Sequence, residues 1–242
     1  MGQKVRLQVA LARSGFASRR SAVEIIKSGR VKVDGKIILK PGQRVEIGKD
    51  NITLDNKSTC IQKKVYFLLN KPKDVVATVR DKYASRKVID LIGCNSLRIY
   101  PIGRLDKDTT GLIILTNDGE VAYRLSHPKF GIKKVYRVCV RGSISPKALK
   151  KLENGVVLEG KKTFPCKIDL IADEKSFSGL EIRLTEGRKR QIKKMFAMIR
   201  HPVLSIERVA FGPLKLGQLK TGNWRRLTAK ELRALRKAAG VI

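Results

Sequence analysis

Asp106 stands in the stretch Gly103-Arg104-Leu105-Asp106-Lys107-Asp108-Thr109-Thr110-Gly111, ahead of the aliphatic run Leu112-Ile113-Ile114-Leu115 and the polar turn Thr116-Asn117-Asp118-Gly119. Its carboxylate is the leading catalytic candidate of the chain, with the guanidinium of Arg104 two positions away. The short aliphatic run, bounded by glycine and a polar turn, reads as a buried strand. The polar half before it is then a loop delivered to one end of a sheet, where functional side chains collect. A lone aspartate between glycines is by default a turn residue or a salt-bridge partner. The rest of the chain must decide between these readings.

Competing chemistries lack their residues. There is no GxxxxGK[ST] and no GxGxxG between strand and helix, so nucleotide-driven chemistry has no visible seat. Cys60, Cys94, Cys139 and Cys166 are scattered without CxxC spacing, and only His127 and His201 are available to join them at a metal. Each histidine precedes a proline and reads as a turn residue rather than the base of a nucleophilic site. Asp106 and Asp108 could form an acidic pair, but Arg104 and Lys107 beside them weaken it as a metal site. Neither cofactor nor metal is expected.

Composition names the partner. The 242 residues hold 53 Lys and Arg against 21 Asp and Glu, a formal net charge of +32. Such an excess repels itself unless it faces a polyanion, and inside a cell the usual polyanion is nucleic acid. A hydrophobic fraction of 42% is ordinary for a folded chain. No apolar run reaches membrane-span length and no signal-peptide core opens the chain, so a soluble cytoplasmic protein with no membrane partner is expected.

The elements that must position Asp106 follow from pattern. Residues 5–12 show helical spacing, and Ser18 can cap a second helix through Lys27. Strands at 31–33 and 36–39 flank Asp34-Gly35, a two-residue hairpin signal, and 44–47 reads as a third strand. This small unit carries eleven Lys or Arg against three acids between Lys4 and Ile47. A one-signed cluster on a unit too small for an enzyme pocket favours RNA binding through Arg19, Arg20, Arg30, Lys32 and Lys36. The expected division is residues 1–48 as RNA-binding domain, 49–61 as a linker with at most one strand at 52–54, and 62–242 as catalytic domain.

In the larger part, strands are predicted at 65–70, 75–79, 133–140, 166–171, 180–184 and 205–210. Helices are expected at 118–125 (capped by Thr116 or Asn117), after Ser145-Pro146, around Ile192, Met195, Phe196 and Ile199, and after Thr228 with Glu231 as capping-box partner. Lys193 borders the apolar face of its helix, where the stem can pack while the ammonium looks into a cleft. Fifteen Lys or Arg against three acids follow from Glu186 onward, and Arg188 and Arg190 open that stretch as further expected RNA contacts. Strands and helices intersperse without βαβ alternation, which argues for α+β with a mixed, mostly antiparallel sheet flanked by helices.

Two resemblances then sharpen the reading. Leu11-Ala12-Arg13-Ser14-Gly15-Phe16-Ala17-Ser18-Arg19-Arg20 and Gly29-Arg30-Val31-Lys32-Val33-Asp34-Gly35 resemble the S4 RNA-binding domain over about residues 4–48. The Gly103–Gly119 stretch, Lys134-Val135-Tyr136-Arg137-Val138 and Glu186-Gly187-Arg188-Lys189-Arg190-Gln191-Ile192-Lys193-Lys194-Met195-Phe196 resemble the RsuA-type ribosomal RNA pseudouridine synthases. All three fall in that family's order, behind an S4-like domain. The segment Arg208-Val209-Ala210-Phe211-Gly212 follows the family less closely.

The resemblance implies a cofactor-free isomerase that converts uridine to pseudouridine, with Asp106 as the catalytic aspartate. Arg104 would contact the RNA backbone and help hold the flipped nucleotide, Tyr136 would lie against the target base, and Lys193 would pair with Asp106. It implies ribosomal RNA or an assembling subunit as partner, and a monomer. The tail pattern from Leu216-Gly217 to Arg226-Leu227 leans toward the large subunit. Two other classes predict different things. A non-catalytic assembly factor would have lost site residues, whereas Arg104, Asp106, Tyr136 and Lys193 are all present; a metal-dependent nuclease would cleave RNA only with magnesium.

Overall fold

The computed structural model describes residues 4–94 and 96–241, and the chain divides into two compact units. The first runs to Lys64 and includes residues 96–98; the second takes residues 65–94 and 99–241.

The first unit contains β1 (Lys4–Arg6), α1 (Leu7–Arg13), α2 (Arg19–Lys27), β2 (Val31–Val33), β3 (Lys36–Ile37), β4 (Arg44–Glu46), β5 (Ile52–Leu54) and β6 (Lys57–Ser58). The helix expected from residue 5 starts at Leu7, because Val5 is engaged as the strand partner of Val45. Ser18 caps α2 as expected, its Oγ accepting the Ser21 amide at 3.0 Å. Asp34 and Gly35 take φ of 50° and 78°, the paired positive angles of a tight hairpin turn. Residues 49–61, expected as a linker, hold the one strand foreseen there and a second: β5 pairs with β2, and Asp55-Asn56 turns it back into β6, giving the order β3-β2-β5-β6. Ile52 and Leu54 accordingly belong to the core with Leu7, Leu11, Ile26 and Val31.

The second unit runs through β7 (Tyr66–Lys71), α3 (Val88–Ile92), β8 (Tyr100–Pro101), β9 (Thr110–Thr116), α4 (Gly119–Ser126), a 3-10 turn (Pro128–Phe130) and β10 (Lys134–Arg141). It continues with α5 (Pro146–Glu153), β11 (Val157–Leu158), β12 (Lys161–Lys162), β13 (Lys167–Asp173), β14 (Phe177–Leu184) and α6 (Gln191–Met198). Then come β15 (Val203–Phe211), β16 (Leu214–Lys215), β17 (Trp224–Arg226) and α7 (Ala229–Ala238). One sheet dominates, in the order β13-β14-β10-β15-β9-β7-β17, with β16 added to β15 and β8 to β9. Among the described residues β9 and β15 form its parallel pair and the other pairings are antiparallel, so the fold is the mixed α+β type the pattern predicts.

The strand behind Asp106 is the pivot of this sheet. Residues 111–116 of β9 are all buried. Leu112 and Ile114 join Tyr66, Leu68, Val121, Leu125, Phe211 and Leu235 in one apolar cluster. At its parallel crossing with β15, Gly111 has φ 101°, and a Cβ there would lie 2.4 Å from the Arg208 carbonyl. Only glycine fits that approach.

Beyond β9, the cap of α4 is Asp118 rather than Thr116 or Asn117. Its Oδ1 accepts the amides of Glu120 and Val121, while its Oδ2 accepts the Tyr66 hydroxyl at 2.6 Å. Thr116 and Asn117 instead fasten β7, donating to the Val65 carbonyl and accepting the Val65 amide respectively. The strand expected at 75–79 reduces to an isolated bridge, Val76 with Lys87. Val75 and Ala77 are buried there, so the apolar run reflects packing without a ladder. Past the strands predicted from sequence, Trp224–Arg226 adds an edge strand, β17 on β7.

Candidate active site

Three separate stretches of chain deliver the expected side chains to one cleft of about 310 Å³. The β8–β9 loop contributes Arg104 and Asp106, β10 contributes Tyr136, residues 187–190 contribute Arg188 and Arg190, and α6 contributes Lys193. Leu105, Leu184, Ile192 and Ile206 add apolar wall. Residues as far apart as Arg104 and Lys193 thus line one cavity.

Local bonds fix the Asp106 loop. The Ile102 amide donates to Ile114 at 2.7 Å, tying the loop's entry to β9, and the Thr109 amide donates to the Asp106 carbonyl at 3.1 Å, closing its turn. Behind it, Lys71 at the end of β7 is fully buried and donates to the carbonyls of Pro72, Val75 and Lys107 at 2.9, 2.7 and 3.2 Å. The Asp74 amide shares the Lys107 carbonyl. Burial pulls the Lys71 ammonium down to about 8, while Asp108, Asp74 and Asp106 lie near enough to favour its charged form. The strand predicted at 65–70 stops one residue short of Lys71. A lysine ending an otherwise apolar strand is the signal that this prediction missed.

The cation at Lys193 is placed differently from expectation. Its Nζ donates to Asp108, not to Asp106. That contact holds the Asp108 carboxyl below the usual carboxylate range, with Arg190 adding to the effect, and it takes Asp108 out of any acidic pair with Asp106. No side chain or amide among the described residues is hydrogen-bonded to the Asp106 carboxylate, which faces a cleft lined by Arg104, Lys189, Arg190 and Lys193. Tyr136 comes from the buried face of β10, where the pleat alternates Lys134, Tyr136, Val138 and Val140 inward, and 8% of its surface is exposed.

Arg188 was expected to bind RNA, and its hydrogen bonds point elsewhere. Its Nε donates to Glu186 at 3.1 Å, and its two terminal nitrogens donate to the carbonyls of Lys161 and Lys162 at 2.7 and 2.5 Å. The buried Glu186 also accepts from the Phe164 amide and from Gln191. The Glu186–Gln191 segment is therefore a bracket that holds the β11–β12 hairpin at the cleft's rim. Lys194 strengthens it by pairing with Glu159 at the hairpin's tip.

In the first unit, Arg19, Arg20 and Lys36 are exposed, as a phosphate-binding role needs. Arg30 is instead held by Asp55 through bonds of 2.9 and 2.5 Å, and Lys32 by Asn56 at 3.1 Å. Both cations thus reach the β5–β6 turn, within residues expected as linker.

A carboxylate and an aromatic ring in a cation-rimmed cleft, on a chain of net charge +32, define an enzyme that works on RNA. The chain belongs to the RNA pseudouridylate synthase family, whose pattern matches residues 65–198, and residues 5–52 match the S4 domain. It is 43% identical to the ribosomal large subunit pseudouridine synthase B of Bacillus subtilis (strain 168), over 97% of this chain and 96% of that protein. An uncharacterized RNA pseudouridine synthase of Aquifex aeolicus (strain VF5) is 40% identical over 98% of this chain and 96% of its own length. A crystal structure of a pseudouridylate synthase superposes with a TM-score of 0.69 at 28% identity, covering 96% of this chain and 99% of that one. The chain is an RNA pseudouridine synthase, an isomerase.

Proposed function

We propose that this enzyme isomerises uridine in ribosomal RNA, with Asp106 as its catalytic carboxylate. One observation carries the reading: a carboxylate without a hydrogen-bond partner among the described residues faces a cleft lined by Tyr136 and five cationic side chains. A uridine inside folded RNA must leave its stack before its glycosidic bond is reachable. Tyr136 supplies an aromatic face for the extruded base, and Arg104, exposed at the cleft mouth, neutralises the phosphate beside it. The reaction breaks N1–C1′ and forms C5–C1′; C5 loses a proton and N1 gains one, with no net redox change. Such a step needs a positioned acid–base or nucleophilic group and no electron carrier. Lys193, held beside the loop by Asp108, lines the same cleft as the Asp106 carboxylate.

The substrate is ribosomal RNA of the large subunit, free or in an assembling particle. The Bacillus relative's name and the chain's tail support this choice. The enzyme acts as a monomer in the cytoplasm, where that RNA is made. Asp106→Asn is expected to leave no detectable pseudouridine formation while RNA affinity stays within about twofold, since the positive surface is untouched. Full activity in that variant would sink the mechanism. Mapping pseudouridine in both ribosomal RNAs of cells with and without the enzyme tests the target, and a loss confined to the small subunit would refute the large-subunit choice.

A further inference from the structure

A second cluster of aromatic and basic side chains lies on the larger unit and takes no part in the cleft. The chain is poor in aromatics, with 7 Phe, 5 Tyr and 1 Trp in 242 residues. Yet Tyr123, His127 and Phe130 gather within a single helix end and its following turn. Their ring centroids lie 5.3 Å apart for Tyr123 and His127, 5.8 Å for Tyr123 and Phe130, and 6.3 Å for His127 and Phe130. None of these rings lines the catalytic cleft.

The local structure accounts for the arrangement. Helix α4 buries Val121 and Leu125, four residues apart, and thereby turns Tyr123 outward, where half of it (50%) is exposed. Phe130 packs partly against the main apolar cluster and so anchors the group. The His127 Nδ1 accepts the Lys129 amide at 3.3 Å, which leaves the proton of the neutral ring on the outward Nε2. Lys129 sets its ammonium 4.8 Å from the Phe130 centroid and 5.5 Å from that of Tyr123. Arg124 lies 5.8 Å from Phe130, while its terminal nitrogens reach Glu120 and the carbonyls of Ala239 and Gly240. Glu120, on the same helix, is thereby engaged by Arg124.

An exposed ring gains nothing for the core, and cations beside it make a poor seat for a basic or apolar partner. The combination suits a π-face with a negative charge next to it, which is a nucleotide. We infer that Tyr123, His127 and Lys129 form an accessory site for one unpaired nucleotide of the substrate RNA, the base stacking on Tyr123 and its phosphate meeting Lys129 and the His127 Nε2–H. The site gives the enzyme a hold on RNA loops beyond the uridine it modifies. It rests on the RNA substrate of the family and not on the role of Asp106.

The test uses the full chain with a fluorescein-labelled single-stranded oligouridylate and a fully paired RNA duplex of equal length. Tyr123→Leu is expected to weaken single-strand binding about tenfold, in line with roughly 1–3 kcal/mol for a stacked base, and to leave duplex binding unchanged. Tyr123→Phe, which keeps the ring, should stay within about twofold of the parent chain. Irradiating the unmutated chain with a 4-thiouridine oligonucleotide should give an adduct mapping to residues 123–130, whatever the leucine variant does to folding. Equal weakening for duplex and single strand would show a charge effect, and equal loss in Leu and Phe variants would show that the ring face is not used; either overturns the site. An unaltered Tyr123→Leu affinity with no adduct in that segment does the same. If Asp106→Asn were active while the adduct formed, the catalytic assignment alone would fall.

Discussion

The buried lysine at position 71 shows how a residue outside the motifs can fasten the loop that carries the proposed catalytic carboxylate. Its ammonium holds three carbonyls, and one belongs to Lys107, the immediate neighbour of Asp106. Burying the charge costs free energy, as its low pKa of about 8 records, so the site keeps Lys71 for what it fastens. Lys71→Met removes that cost but leaves a buried carbonyl at Val75 and a loosened Lys107 turn. Three carbonyls lose the ammonium together, and a buried acceptor left unsatisfied costs roughly 1–3 kcal/mol, so the loss over the set outweighs the relief of removing the buried charge. The variant should therefore unfold at lower urea with an unchanged m-value, and its kcat should fall about tenfold or more with KM little altered. A larger effect on KM than on kcat would mean that Lys71 serves RNA binding instead. The sequence showed Asp106, Arg104, Tyr136 and Lys193 by motif, and the structure does bring them to one cleft. It did not show Lys71, whose role depends on carbonyls that only the folded chain gathers.

Elements were legible where their own residues define them. The four aliphatic residues of β9, the Thr228–Glu231 capping box and the alternation in β10 are local patterns, and each formed as read. The β11–β12 hairpin was not legible, because strands of two residues carry no period and the bond partner that fixes them, Arg188, lies 26 and 27 positions away. The same distance kept the bonds of Arg188 to the hairpin out of sight in the sequence. The two arginines of this segment should therefore respond differently. Arg190→Gln removes a cleft cation and is expected to flatten the dependence of log K on log salt by about one. Arg188→Gln should leave that slope unchanged while the amides of residues 157–162 lose protection from hydrogen exchange. A flattened slope for Arg188→Gln, with the hairpin still protected, would return it to the RNA-binding set.

At the scale of the whole molecule, the boundary between the units decides what can be cut away. A division after residue 48 fits the S4-like motif, whose last strand by pattern is 44–47. The chain itself continues the first sheet through β5 and β6, and the unit ends at Lys64. The sequence concealed this because Asp55 and Asn56 take positive φ without glycine, at 48° and 63°, so the turn lacks its usual signal. A chain starting at Val65 keeps the entire second core and should unfold in one cooperative transition. A chain starting at Lys49 carries Ile52 and Leu54 with no β2 to pair and no α1 to cover them, although both are buried in the intact unit. It should bind the dye ANS and aggregate more readily. Both truncations lose Arg19, Arg20 and Lys36, so both should show weaker RNA binding with a shallower salt dependence than the intact enzyme. Equal solubility and equal dye binding of the two would place the functional boundary back at residue 48. Loss of cooperative unfolding in the Val65 chain would mean that the catalytic unit needs the S4 unit to fold.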